Sequence, residues 1–170
     1  MPQAAVYQAI QSRLETGIGT IPFLGAVYAA PPKVANESDL VRFTLPGNSS
    51  GAAIYLMIEE QSARRIAFGG PHSGRKERPY ILAMFCVFRS DAPTTTQGQA
   101  DFSLFIDGIT NWIEADRTAD SDGVIFQWGE GTSPGTPDIQ FAFRLPFTLN
   151  GGVTTFHAVG RVTVLEISNT

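Results

Sequence analysis

Ile139-Gln140-Phe141-Ala142-Phe143-Arg144-Leu145-Pro146-Phe147-Thr148-Leu149 is the stretch that decides the fold of this 170-residue chain. Its apolar residues fall on alternate positions, and a period of two predicts a strand with one buried face. Pro146 has no N–H to give to a ladder, so the strand is expected to lie at an edge there or to be bulged. Asn150-Gly151-Gly152 supplies the positive φ values of a tight hairpin, and residues 153–167 read as the returning strand.

Upstream, residues 79–88 are apolar at almost every position, as in a central strand covered on both faces. Strands are also expected over 21–30, 53–60, 64–68 and 124–128. Val6, Ile10 and Leu14 recur every four residues beside Ala5 and Ala9, which predicts a helix over 2–16 that stops at Gly17. A second helix is expected over 96–117, where Phe102, Phe105, Ile106, Ile109, Trp112 and Ile113 make a core-facing stripe. Thr96 with Gln99 resembles a capping box, while Gly98 and Gly108 lower the local helix propensity. Residues 31–52, 69–77, 120–123 and 129–137 read as loops and turns. The chain is therefore expected to be one α+β domain over 1–170, with two helices on one face of a mostly antiparallel sheet, a long loop insert at about 31–52, and a C-terminal hairpin.

Charged residues are only 16% of the chain, against roughly 25% in an average soluble domain. A surface this poor in charge suggests an assembly subunit that hides part of itself against partners. Six of the 12 basic residues, Arg64, Arg65, Arg75, Lys76, Arg78 and Arg89, lie between 64 and 89 with Glu77 as the one acid, a net +5. From Asp91 to Asp138 nine acids meet one base, Arg117, a net −8. Opposite patches suit copies that meet head to tail around a ring; two solvated faces of a monomer would read the same from charge alone.

The same inventory argues against several classes. The run 80–88 is too short for a bilayer span, which takes about 20 residues, and residues 1–20 lack the basic start and apolar core of a secretory signal. Cys86, the one cysteine, cannot close an internal disulfide and fits a reducing compartment. One Cys, two His and scattered carboxylates show no metal-ligand spacing, and the net charge of −4 argues against a general nucleic-acid binder.

Catalytic constellations do not emerge. Gly69-Gly70-Pro71-His72-Ser73-Gly74-Arg75-Lys76 nearly spells a phosphate-binding loop. However, Arg75 and Lys76 stand where Lys and Ser/Thr are required, and a strand follows where a helix is needed. His72 and Ser73 are adjacent without a nucleophile elbow. His157 reads as a structural histidine within a strand, and Cys86 as an inert core thiol. Asp101, Asp107, Glu114 and Asp116 decorate the polar side of the second helix. No enzyme, cofactor or metal is expected.

Arg65-Ile66-Ala67-Phe68-Gly69-Gly70-Pro71-His72-Ser73-Gly74-Arg75-Lys76, followed by Tyr80 and an apolar strand ending Phe88-Arg89-Ser90, resembles the tail terminator proteins of long, non-contractile-tailed bacteriophages, particularly those of actinobacterial phages. The likeness continues through the acidic helix with Trp112, the strand at 124–128, Gly129-Glu130-Gly131 and the closing hairpin. The insert at 31–52 departs from the most compact members.

That resemblance implies a structural virion protein assembled in the host cytoplasm. Six copies would form a ring on the head-proximal end of the tail tube, stop tube polymerisation and present the surface that joins the capsid. Its partners would be further copies of itself, the tail tube protein and a head-side connector or stopper protein. DNA would pass through the lumen without sequence-specific binding, and no membrane is involved. Arg65, His72, Arg75, Lys76 and Arg78 are the interface or lumen candidates. A neighbouring subunit is the preferred partner for them, because interfacial charges fix register and partner choice. The alternatives are a neighbouring connector or stopper protein, and a small soluble ligand-binding domain with a pocket between helices and sheet.

Overall fold

A computed structural model describes residues 2–30, 51–61, 64–65, 75–121, 124–128, 139–148 and 153–169. The described residues form an α+β fold with two helices and a mixed, open sheet. Helix α1 spans Pro2–Glu15, followed by β1 (Leu24–Tyr28), β2 (Gly51–Gln61), β3 (Arg64–Arg65) and β4 (Arg75–Ser90). Helix α2 spans Thr95–Ala115, and β5 (Thr118–Ser121), β6 (Val124–Trp128), β7 (Ile139–Phe143), β8 (Phe147–Thr148) and β9 (Thr154–Asn169) complete the chain.

The spine is the antiparallel pair β4–β9, in register from Arg75 opposite Asn169 to Ser90 opposite Thr154. Sixteen residues in β4 give a strand of roughly 50 Å. The far side of β4 takes β2 and, beyond it, β3. The far side of β9 is shared end to end by β8, β7 and β6, and β5 continues outward from β6. Only β1 with β2 is a parallel pair among the described residues, so the mostly antiparallel expectation holds.

Alternation along β4 divides its side chains between two layers. Tyr80, Leu82, Met84, Cys86 and Phe88 join the main core, which also takes Val6, Ile10 and Leu14 of α1 and Phe102, Phe105, Ile106, Ile109 and Ile113 of α2. Both helices therefore lie on one face. On the other face Ala53, Tyr55 and Val87 are buried, with Ala26, Tyr28, Phe85 and Phe147 packed around them. Helix α1 touches both β1 and β5, the two end strands of the sheet order, so the sheet curls around it.

The second helix starts one residue before its expected position. Its cap is Thr94, whose Oγ1 accepts a hydrogen bond from Gln97 N at 3.2 Å, so the Thr96–Gln99 box is not the one used. Gln97 itself donates to Asp101 instead of reaching back to the cap. Gly98 and Gly108 are close-approach positions: a Cβ at Gly98 would stand 2.7 Å from Ser90 Oγ, and one at Gly108 would stand 2.5 Å from Pro22 Cδ. The propensity they lose is exchanged for close contact of α2 with the end of β4 at Gly98 and with the α1–β1 connection at Gly108.

Several expected boundaries moved. Gly51 and Ala52 belong to β2 and not to a loop, Arg75, Lys76 and Glu77 belong to β4, and Asp120 and Ser121 belong to β5, a strand with no counterpart in the sequence reading. The remainder of the insert (31–50), residues 66–74 with His72, Asp122-Gly123, 129–137 and 149–152 with Asn150-Gly151-Gly152 lie outside the described residues.

The decisive stretch needs the largest correction. It is two strands, broken at 144–146, and its apolar residues do not share one buried face. Phe143 is opposite Ala158, whereas Phe147 is opposite Thr155, so β9 advances three residues while the other chain advances four. Because strand side chains alternate, that extra residue turns everything after it to the opposite face. Ile139 and Phe141 pack on the main core, and Phe147 joins the second cluster. Phe143 is 57% exposed and Leu145, in the break, 89%. Of the expected alternatives at Pro146, an edge or a bulge, both are found: the break at 144–146 carries one extra residue, and β7 and β8 pair only with β9 among the described residues.

Candidate interaction surface

The basic residues singled out in the sequence are gathered by strand register. Arg64 and Arg65 form β3 and pair with Glu77 and Lys76, while Arg75 and Lys76 open β4 opposite Asn169 and Ser168. Arg65 and Lys76 are thus cross-strand partners. His72 lies outside the described residues.

Arg78 has a different role. Its Nη1 donates to Glu166 Oε1 at 3.3 Å, and Tyr80 Oη donates to Glu166 Oε2 at 2.7 Å. Glu166, a buried carboxylate opposite Arg78 in the β4–β9 register, is held by two donors from the neighbouring strand. Burial, reinforced by the Glu166 carboxylate, pushes the Tyr80 hydroxyl far above its ordinary value. This trio is charge-balanced within the chain, and Arg78 is committed to it.

The acidic side is also partly committed. Arg13 at the end of α1 lies over the Trp112 ring at 4.4 Å, accepts a bond at its carbonyl from Trp112 Nε1, and pairs with Asp116 at 3.5 Å. Hydrogen bonds from the Thr118 hydroxyl and amide, with Arg13 adding attraction, hold the exposed Asp116 carboxyl below its ordinary range. Asp107 and Glu114 are exposed on α2, and Asp91 is exposed at the end of β4 away from the basic arm. On the sheet's second face Arg161 clasps Glu59 with two bonds of 2.7 and 3.0 Å.

Docking features beyond charge are the outer edges of β1 and β5, which lack a strand partner among the described residues, and the exposed side chains of Phe143 and Leu145. Between α2 and the sheet, Phe88, Phe102 and Phe156 are in ring contact with centroids 5.7–6.2 Å apart. These rings belong to the main core. Cys86 is fully buried, and burial pushes its thiol well above its ordinary value, as an inert core residue requires.

One polar pair escaped the sequence reading. Arg89 and Thr155 are buried register partners near one end of the spine. In the sequence Phe88-Arg89-Ser90 is the end of an apolar strand, and only the pairing of β4 with β9 reveals that the arginine is enclosed.

No family model matches the chain, and no curated protein sequence matches it. Among the described residues no helix is long and apolar enough to cross a membrane, and no group of three or more His, Cys, Asp or Glu is placed to hold a metal ion.

Proposed function

We propose that the chain is a ring-forming structural subunit of the tail terminator type. It would cap the head-proximal end of a phage tail tube, stop tube growth and offer the surface for a head-side connector or stopper protein. The observation that carries this reading is the basic arm, where register makes Arg65 and Lys76 partners and adds Arg75, with α2 beginning beyond the other end of β4. A positive arm and a separate acidic helix suit head-to-tail copies, and the sequence resemblance supplies the ring and the tube. The function is a binding difference between capped and uncapped tube ends, and no chemical turnover is involved.

Electron microscopy of tubes assembled with and without the chain tests it. Tubes of fixed length carrying a ring at one end are expected; tubes that grow on, bare at both ends, overturn the reading. Arg75→Glu with Lys76→Glu is expected to weaken ring assembly in sedimentation while leaving the circular dichroism of the folded monomer intact. Unchanged assembly would remove the arm from the interface.

A further inference from the structure

Gly51, Arg89, Thr155 and Phe147 stand in one row across β2, β4, β9 and β8 as successive register partners. Register partners project to the same face, and Phe147 and Val87 place this row on the face opposite the helices. Arg89 is only 7% exposed and Thr155 0%. Arg89 Nε, Arg89 Nη1 and Thr155 Oγ1 are sealed from solvent, and none has a hydrogen-bond partner among the described residues. Nor does Arg89 make an ion pair there, unlike Arg13, Arg78 and Arg161. A guanidinium cannot shed its proton, so an enclosed one without a counter-ion is a costly arrangement. Gly51 adds no side chain to the row, and the aromatic cluster beside it, Tyr55 with Tyr28 stacked at 5.0 Å, lowers the local dielectric.

We propose that Arg89 and Thr155 form an oxyanion-binding site that takes a carboxylate or phosphate group. The guanidinium supplies charge-assisted N–H donors and the threonine a hydroxyl donor, the groups that such an anion requires. The anion is either a free small molecule or a carboxylate carried by another copy of the chain. The site is separate from the basic arm and does not depend on the ring reading.

Thermal unfolding of the full chain at low salt tests this, with phosphate or acetate titrated against chloride at matched ionic strength and at two protein concentrations. A free anion is expected to raise Tm saturably by about 5–10 °C at a hundredfold excess over Kd. A carboxylate from a second copy would instead raise Tm with protein concentration. Arg89→Met is expected to abolish either response and to raise the Tm of the dilute, anion-free protein, because it removes an uncompensated buried charge. Thr155→Val is expected to weaken the response, and Arg75→Glu with Lys76→Glu to leave it unchanged. The proposal is overturned if the wild type responds to neither oxyanion nor concentration beyond the chloride control. It is equally overturned if Arg89→Met keeps the full response, or fails to fold while Thr155→Val titrates like the wild type.

Discussion

Glu166 illustrates how a single buried carboxylate organises its neighbours. Tyr80 and Arg78 both point their donors at it, so removing the acceptor strands a buried hydroxyl. Glu166→Ala is expected to cost about 2–4 kcal/mol, read as a lower urea midpoint at unchanged slope. Glu166→Gln, which keeps an acceptor, is expected to cost less. Equal losses under about 1 kcal/mol would mean that the bonds contribute little. Phe23 is a second local feature: its φ of 64° is unusual for a bulky residue, and its ring leans on Phe88 at 5.2 Å between α1 and β1.

At the scale of elements, the extra residue in 144–146 puts Phe143 and Phe147, equivalent in the sequence pattern, on opposite faces of the sheet, and Phe143 is also unlike Phe156 of β9. Phe143 is mostly exposed and meets Phe102 edge-on, while Phe156 is enclosed. Phe143→Ala is expected to cost only about 1 kcal/mol, whereas Phe156→Ala is expected to cost about 3–5 kcal/mol. Similar melts for the two variants would place Phe143 in the core after all. What was legible in the chain follows the same physics. Both helices and the apolar β4 were readable because periodicity is a local property. The face of Phe147 was not, because it depends on which β9 residue stands opposite. Asp120 and Ser121 read as a turn because polar residues at a sheet edge carry no apolar period. At the surface, the basic arm was visible as composition, but the commitment of Arg78 to Glu166 and the enclosure of Arg89 arise from the long-range pairing of β4 with β9.

For the molecule as a whole, the ends of α1 and α2 are joined through Arg13, Trp112 and Asp116, and this join carries a pH dependence. The folded state lowers the Asp116 pKa, so its contribution to stability is complete above the unfolded carboxyl value of about 3.9. It is lost as pH falls through the lower folded value. In Tm measurements from about pH 6 to pH 2, Asp116→Asn is therefore expected to be less stable than wild type at the upper end and to converge with it at the lower. A constant gap would assign the effect to shape and not to charge.

The long spine also governs the order of events in time. Residues 75–90 meet their full-length partner only after 154–169 have been synthesised. Closing so wide a loop is slow, and until it closes one flank of a strand that is apolar from 79 to 88 stays unpaired. The nascent chain therefore passes through an interval in which β4 is open to pairing with the wrong strand, including β4 of a second chain. Yield on expression should depend on how quickly β9 arrives.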